Sequence, residues 1–201
     1  FGCGYCPFRT VPYRTRSVES IVSEIRGNVA RFGVRAFSFR DHLFNPTSDR
    51  ARAVAEALRA ARLAVRFSIE ARADRLDEPT LAALAKAGLG SLEIGVESVD
   101  LDLLGRENRS PPRIEQIERI VKAAHRLGVR VIANFIFGLP GDRVETMRAS
   151  AALARRLNTF AVQFTVATPY PGTTLYPIAK ERGLHRAYAD WSGWTSVFSP
   201  D

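Results

Sequence analysis

Cysteine is nearly absent from this chain. Its 201 residues contain two, Cys3 and Cys6, in a single Cys-x-x-Cys spacing within "FGCGYCPFRT". Two cysteines cannot build the multi-bridge framework of a small secreted scaffold, whereas a close pair in a reducing compartment binds metal or does redox chemistry. Lysine is also scarce: Lys86, Lys122 and Lys180 are the only ones, so arginine carries most of a net charge of +8. No run of about 18 apolar residues occurs, which excludes a helical membrane span. No basic-then-apolar leader is present either, so nothing argues for secretion and a cytoplasmic protein without a membrane partner is expected. No Pro/Gly/Ser-rich linker interrupts the pattern, so residues 1–201 are expected to form one domain, with an irregular tail over 185–201 in which Trp191 and Trp194 pack on the body.

The composition is otherwise that of an ordinary globular chain, 46% hydrophobic and 25% charged, long enough to bury a core without staples. A basic balance suits an anionic partner. However, Arg26, Arg31, Arg52, Arg59, Arg119, Arg126, Arg155 and Arg156 all fall in helical patterns and read as solvated faces. Nucleic acid is therefore not the expected partner. Arg14 and Arg16, close to the cysteines, are expected to brace the cysteine loop.

Short apolar strands alternate with amphipathic helices. The strands are expected at 35–39, 64–69, 91–96, 129–137 and 160–166. A helix over 18–32 starts at Ser17. Asn45-Pro46 opens another that runs to about residue 63. Asp77 caps a third, with Pro79 in its first turn and Gly88 at its end. Ser110-Pro111 opens a fourth that closes at Gly128. Asp142 and Glu145 read as a capping box, and a last helix over 174–182 ends at Gly183. A strand–helix step of roughly 30 residues implies right-handed crossovers and a parallel sheet, either a (β/α)-barrel or a doubly wound sheet. The first strand of the series is expected ahead of the cysteines.

In parallel α/β folds, ligands bind at the carboxyl ends of the strands. Polar residues close each predicted strand: Asp41 and His42, Glu70, then Glu97 with Ser98. Asn134 interrupts "VIANFIF", which the "GLPG" turn at Gly138–Gly141 follows, and "PYPGT" follows the last strand. A buried carboxylate is costly unless paired or ligand-bound, so these groups are expected to line one mouth together with Cys3 and Cys6.

Three chemistries suit the cysteine pair. "CGYC" ahead of a helix reads as a thioredoxin-type redox pair, although nothing in so small a fold explains five further strand–helix units. A zinc site needs four ligands, and His42, His125 and His185 have no ligand spacing to the cysteines. An iron–sulfur cluster with a further cysteine upstream is the third.

"FGCGYCPF" resembles the end of the C-x3-C-x2-C signature of the radical S-adenosylmethionine (SAM) superfamily, in which the residue before the last cysteine is usually aromatic, as Tyr5 is. "RTRSVESIVSEI", "FSFRDHLFN", "FSIEARAD", "IGVESVDLDLLGRENR", "FIFGLPGD" and "PYPGTTLY" resemble stretches of the same superfamily in the same order. The likeness is strongest to members that carry a cobalamin-binding domain ahead of the barrel. It implies a partial TIM-like (β/α)-barrel whose first strand and third cysteine lie upstream.

The resemblance further implies that Cys3 and Cys6 ligate a [4Fe–4S] cluster whose open iron chelates SAM. Asp41, with Arg40 and His42, occupies the loop that contacts the SAM amino group, although it departs from the glycine-glycine-glutamate of other branches. Glu70 matches the carboxylate that bonds the ribose, and Glu97 a polar residue of the site. Arg109 matches the arginine that pairs with the SAM carboxylate, and Asn134 stands where some relatives have aspartate. Tyr5 and the backbone near Gly138 would flank the adenine. One electron would cleave SAM to methionine and a deoxyadenosyl radical. The implied function is methyl transfer or ring formation on a small molecule, fed by a reductant such as flavodoxin or ferredoxin and assisted by cobalamin if that domain is present. A tRNA methylthiotransferase, an inactive scaffold of the same fold and a thioredoxin-like reductase are the alternatives.

Overall fold

The structure is a computed structural model that describes residues 2–110 and 113–183. Five parallel strands form one sheet: β1 Ala36–Ser38, β2 Arg66–Ala71, β3 Leu89–Glu97, β4 Arg130–Phe137 and β5 Ala161–Val166. Seven α-helices are interleaved among the described residues: α1 Val18–Phe32, α2 Ser48–Ala60, α3 Glu78–Lys86, α4 Leu101–Arg106, α5 Ile114–Arg126, α6 Val144–Leu157 and α7 Leu175–Glu181. The spatial order of the strands is the chain order, β1 to β5. A doubly wound sheet reverses its order at a switch point; this one never does. It curls instead as part of a barrel, the first of the two expected architectures.

Each central strand has two unlike faces. Phe67, Ile69, Leu92, Ile94, Val96, Val131, Ala133 and Phe135 are buried on one side, sharing a core with Val54, Leu58, Leu81, Leu84, Ile117 and Ile120 of the helices. The alternate residues, Glu70, Ser91, Glu93, Gly95, Glu97 and Asn134, are half-buried. Central parallel strands are normally apolar on both faces. A polar inner face is a chamber that needs polar company.

The helix starts follow from local chemistry. Ser17, Thr47, Asp77 and Asp100 each accept a hydrogen bond from the backbone N–H three residues on, filling donors a helix leaves open. Three expected starts are corrected. Helix α2 opens at Ser48 on Thr47, because Asn45 is wholly buried and gives its side chain to the backbone of Arg72 and Arg75 instead. Helix α5 opens at Ile114 on Arg113 rather than at Ser110-Pro111, and Pro111 lies outside the described residues. Asp142 and Glu145 form no capping box: Arg143 is the N-cap, its N–H donates to Thr146 Oγ1, and Asp142 receives the Thr146 hydroxyl. The short helix α4 has no counterpart among the expected elements. The tail with His185, Trp191 and Trp194 lies outside the described residues. Among those residues, no helix is long and apolar enough to cross a membrane.

Candidate functional site

The cysteine loop is held at the carboxyl end of the sheet by its backbone. The N–H of Gly4 donates to Glu107 O at 2.7 Å, and its carbonyl accepts from the Thr174 N–H at 2.9 Å. The Asn108 side chain donates to Gly2 O at 3.1 Å, and the Cys6 N–H closes a turn on Cys3 O at 3.1 Å. A side chain at position 4 would collide with the Glu107 carboxylate and the Thr174 hydroxyl, so anything larger than glycine has to push both aside. The Phe8 ring stacks on His42 with centroids 3.9 Å apart, joining this loop to the one after β1. Both thiols are free, Cys3 buried and Cys6 half-buried. Burial pushes the Cys6 thiol up, opposite to the lowered pKa that activates a redox Cys-x-x-Cys pair.

Beneath this loop, Glu97 ends β3 in the left-handed region at φ 69°, where a non-glycine residue costs about 1–3 kcal/mol. That twist turns its carboxylate toward Arg109, whose Nη2 lies 3.4 Å from Glu97 Oε1 and donates to Gly95 O at 3.0 Å. A Cβ on Gly95 would strike the Glu97 carboxylate and sit 3.2 Å from Arg109 Nη2. Burial raises the Glu97 pKa, against the charges of Arg109 and Arg72 and the Tyr5 hydroxyl. Burial and then the Glu97 charge hold the Tyr5 phenol protonated, well above the ordinary range. Arg109 is only 6% exposed, yet its Nε has no hydrogen-bond partner. A buried donor without an acceptor is an expensive vacancy.

A second row lies along the inner face. Glu70 of β2 pairs in register with Glu93 of β3. Asn134 of β4 donates through Nδ2 to Glu93 Oε1 at 2.7 Å, leaving its buried Oδ1 without a partner. Burial first, then the charges of Glu93 and Glu97, push the Glu70 carboxyl up to about 7, against the pull of Arg40.

The structure thus gathers Cys3, Cys6, Tyr5, Glu97 and Arg109, with Glu70 within electrostatic reach of Glu97. Asn134 turns to Glu93 rather than to the cysteines. Gly138 gives its N–H to Asp142 Oδ2 at 2.9 Å, so that donor is already used. Asp41 stands apart, exposed in a cleft beside Tyr13, Arg14 and Arg50. Arg16 pairs with Glu24 of α1 and its carbonyl accepts from Arg50; it braces α1 and α2, not the cysteine loop. Sequence reasoning missed Glu93, Glu107 and Thr174. Glu93 alone carried a signal, the strict alternation Ser91, Glu93, Gly95, Glu97 against Leu92, Ile94, Val96.

The sequence profile of the radical SAM superfamily matches residues 1–154. The chain belongs to the radical SAM superfamily. It is 28% identical over 206 residues to bacteriochlorophyllide d C-12(1)-methyltransferase of Chlorobaculum tepidum, covering 99% of this chain and 44% of that protein. It is 27% identical over 210 residues to the anaerobic magnesium-protoporphyrin IX monomethyl ester cyclase of Rubrivivax gelatinosus, covering 100% of this chain and 37% of that one. The chain therefore spans less than half the length of these relatives. Its fold is shared with the radical SAM methyltransferase TsrM of Kitasatospora setae, whose structure contains cobalamin and a [4Fe–4S] cluster: TM-score 0.81 at 22% identity, over 90% of this chain and 35% of TsrM.

The superfamily's cofactors are a [4Fe–4S] cluster and SAM, and the donor set fits both. Thiolates are the iron–sulfur ligands, and Cys3 and Cys6 are presented together on an anchored turn. No group of three or more metal-ligating His, Cys, Asp and Glu side chains occurs among the described residues, so this part of the chain offers two thiol ligands. The unfilled Nε of Arg109 is the position a ligand carboxylate would take.

Proposed function

We propose that this chain is the catalytic core of a radical SAM enzyme that transfers a methyl group or forms a ring or C–C bond on a small molecule. The observation that carries this reading is the buried guanidinium of Arg109, with its Nε unfilled, whose charge acts on Tyr5 of the Cys3–Cys6 turn. When bound, the cluster supplies the electron that cleaves SAM reductively.

The residues of the chain do the rest. Cys3 and Cys6 give two of the cluster's thiolates, and a third would have to come from outside these 201 residues, which hold no other cysteine. Arg109 offers Nε to the SAM carboxylate while Gly95 O and Glu97 hold its Nη2. Tyr5 and Glu97 close the floor of the site and keep water from it. Glu70 faces the ribose hydroxyls as an acceptor. Asn134 and Glu93 continue the polar row beside Glu70, while Asp41 and Gly138, which the resemblance assigns to SAM contacts, lie outside the cluster around Arg109. The methyltransferase and cyclase names of the relatives support the reaction class. Cobalamin is a candidate second cofactor because TsrM carries it, and a flavodoxin or ferredoxin is the candidate reductant.

A tRNA methylthiotransferase takes second place. Several arginines are paired with acids on the helix faces, Arg126 with Glu78 and Arg156 with Glu118, which spends positive charge that RNA would need.

Anaerobic reconstitution of the full-length protein with iron and sulfide tests the reading. A brown protein that, once reduced, releases 5′-deoxyadenosine or S-adenosylhomocysteine from SAM is the expected result. A colourless protein, or one whose iron content is unchanged when Cys3 and Cys6 are both replaced by alanine, overturns it.

A further inference from the structure

We infer that Arg72 is a positioning residue that keeps Arg109 open for a carboxylate: it holds the carbonyl of Ser110, next to Arg109, and occupies Asp74, the acid that would otherwise quench Arg109's free Nε. The inference rests on the SAM-binding reading above.

Arg72 follows the end of β2 and is only 9% exposed. Its Nε and Nη2 donate to the two oxygens of Asp74 at 2.8 and 2.7 Å, the planar fork that arginine makes best. Nη2 also donates to Ser110 O at 2.7 Å, the carbonyl of the residue directly after Arg109. One buried guanidinium therefore ties the end of β2 to the segment that carries the other.

The tie is rigid from behind. The Arg72 N–H donates to Asn45 Oδ1 at 3.0 Å, and Asn45 Nδ2 donates to Arg72 O at 3.1 Å and Arg75 O at 2.9 Å. The Gln116 side chain adds a bond to Ala73 O at 3.3 Å. Asn45 is wholly buried, so this frame is part of the body and not a surface loop.

Charge then explains why Arg72 has to be there. Two cations, Arg72 and Arg109, and two anions, Asp74 and Glu97, share one end of the sheet. Burial works against the Asp74 carboxylate, but the hydrogen bond and charge of Arg72, with the charge of Arg109, hold it below the ordinary range. Asp74 thus lies within the field of Arg109. Arg109 already has Glu97 and Gly95 O at its Nη2, and its neighbouring Nε is unfilled. With Arg72 gone, an ionised Asp74 is left to the charge of Arg109, and it would compete for the position assigned to the SAM carboxylate. Arg72 prevents this by filling both oxygens of Asp74.

The test is SAM affinity, read by equilibrium dialysis on the cluster-loaded full-length protein without reductant, so that no turnover is involved. Arg72→Gln should weaken SAM binding roughly tenfold or more, the scale of one charge-assisted contact. Arg72→Gln combined with Asp74→Asn should regain most of that loss, because the competing acid is gone. A merely structural Arg72 would lower the number of binding sites per chain and leave their affinity alone. That outcome, or a double variant as weak as the single one, overturns the inference while leaving the proposed function standing. A wild-type protein that loads its cluster and takes up no SAM overturns the proposed function, and the inference with it.

Discussion

Arg109 Nη2 and Glu97 Oε1 lie 3.4 Å apart, with the two side chains 7% and 13% exposed, and a side chain at Gly95 would force both to shift. Removing one member leaves the other charged and buried, which typically costs more than the intact pair contributes. Arg109→Met is expected to destabilise the protein by about 2–3 kcal/mol, with the charge of nearby Arg72 softening the loss. The double variant Arg109→Met with Glu97→Gln should recover at least half of it. Urea unfolding of the four proteins in the cycle measures this; equal losses in the single and double variants would show that the pair is not coupled.

The cysteine turn depends on a missing side chain. Gly4→Ala forces a methyl group into the Glu107 carboxylate and the Thr174 hydroxyl, and the bond from the Gly4 N–H to Glu107 O is the first to stretch. A loss of about 1–3 kcal/mol follows from overpacking. Iron bound per chain after reconstitution should fall at least twofold, because Cys3 and Cys6 flank the displaced residue. Full iron loading in Gly4→Ala would mean that the turn is not what presents the thiols.

How much of this was legible in the sequence depended on the range of the contacts. Asp77 was readable as a cap because its partner, the Thr80 N–H, is three residues away. The strand–helix alternation was readable because each element is built from neighbours. The tie from Arg72 to Ser110 spans 38 residues, and nothing local to either residue announces it. Asn45 looked like a helix opener because it precedes proline; its actual partners lie 27 and 30 residues on. Glu93 was overlooked for a different reason. It sits mid-strand rather than at a strand end, where only the two-residue period of β3 marks it as facing inward.

Glu70 makes stability depend on pH in a definite direction. Its carboxyl titrates near 7 in the folded protein, against 4.5 ordinarily. The folded state therefore holds a proton that the unfolded state has released, and stability falls as pH rises from about 4.5 through about 7. Glu70→Gln should abolish this slope, leaving the variant more stable than the parent at pH 8 by about 1 kcal/mol once solvent screening of a half-buried group is allowed for. At pH 4 the two should be nearly equal. Thermal melts across that range decide it, and a variant less stable than the parent at pH 8 would contradict the assignment.

The same titration distinguishes its causes. Burial is the larger contribution to the Glu70 shift and the charge of Glu93 the next. Glu93→Gln removes the facing carboxylate, keeps the acceptor oxygen that Asn134 Nδ2 uses, and leaves the burial of Glu70 unchanged. The Glu70 midpoint should therefore drop from about 7 but stop short of the ordinary carboxylate value, because its surroundings still disfavour charge. Infrared titration of the carboxyl band would follow it directly. A midpoint that does not move would mean that burial alone, and not the facing carboxylate, sets it. Asn134→Asp, which places a third acid at the end of the row, should move the midpoint the other way and raise it.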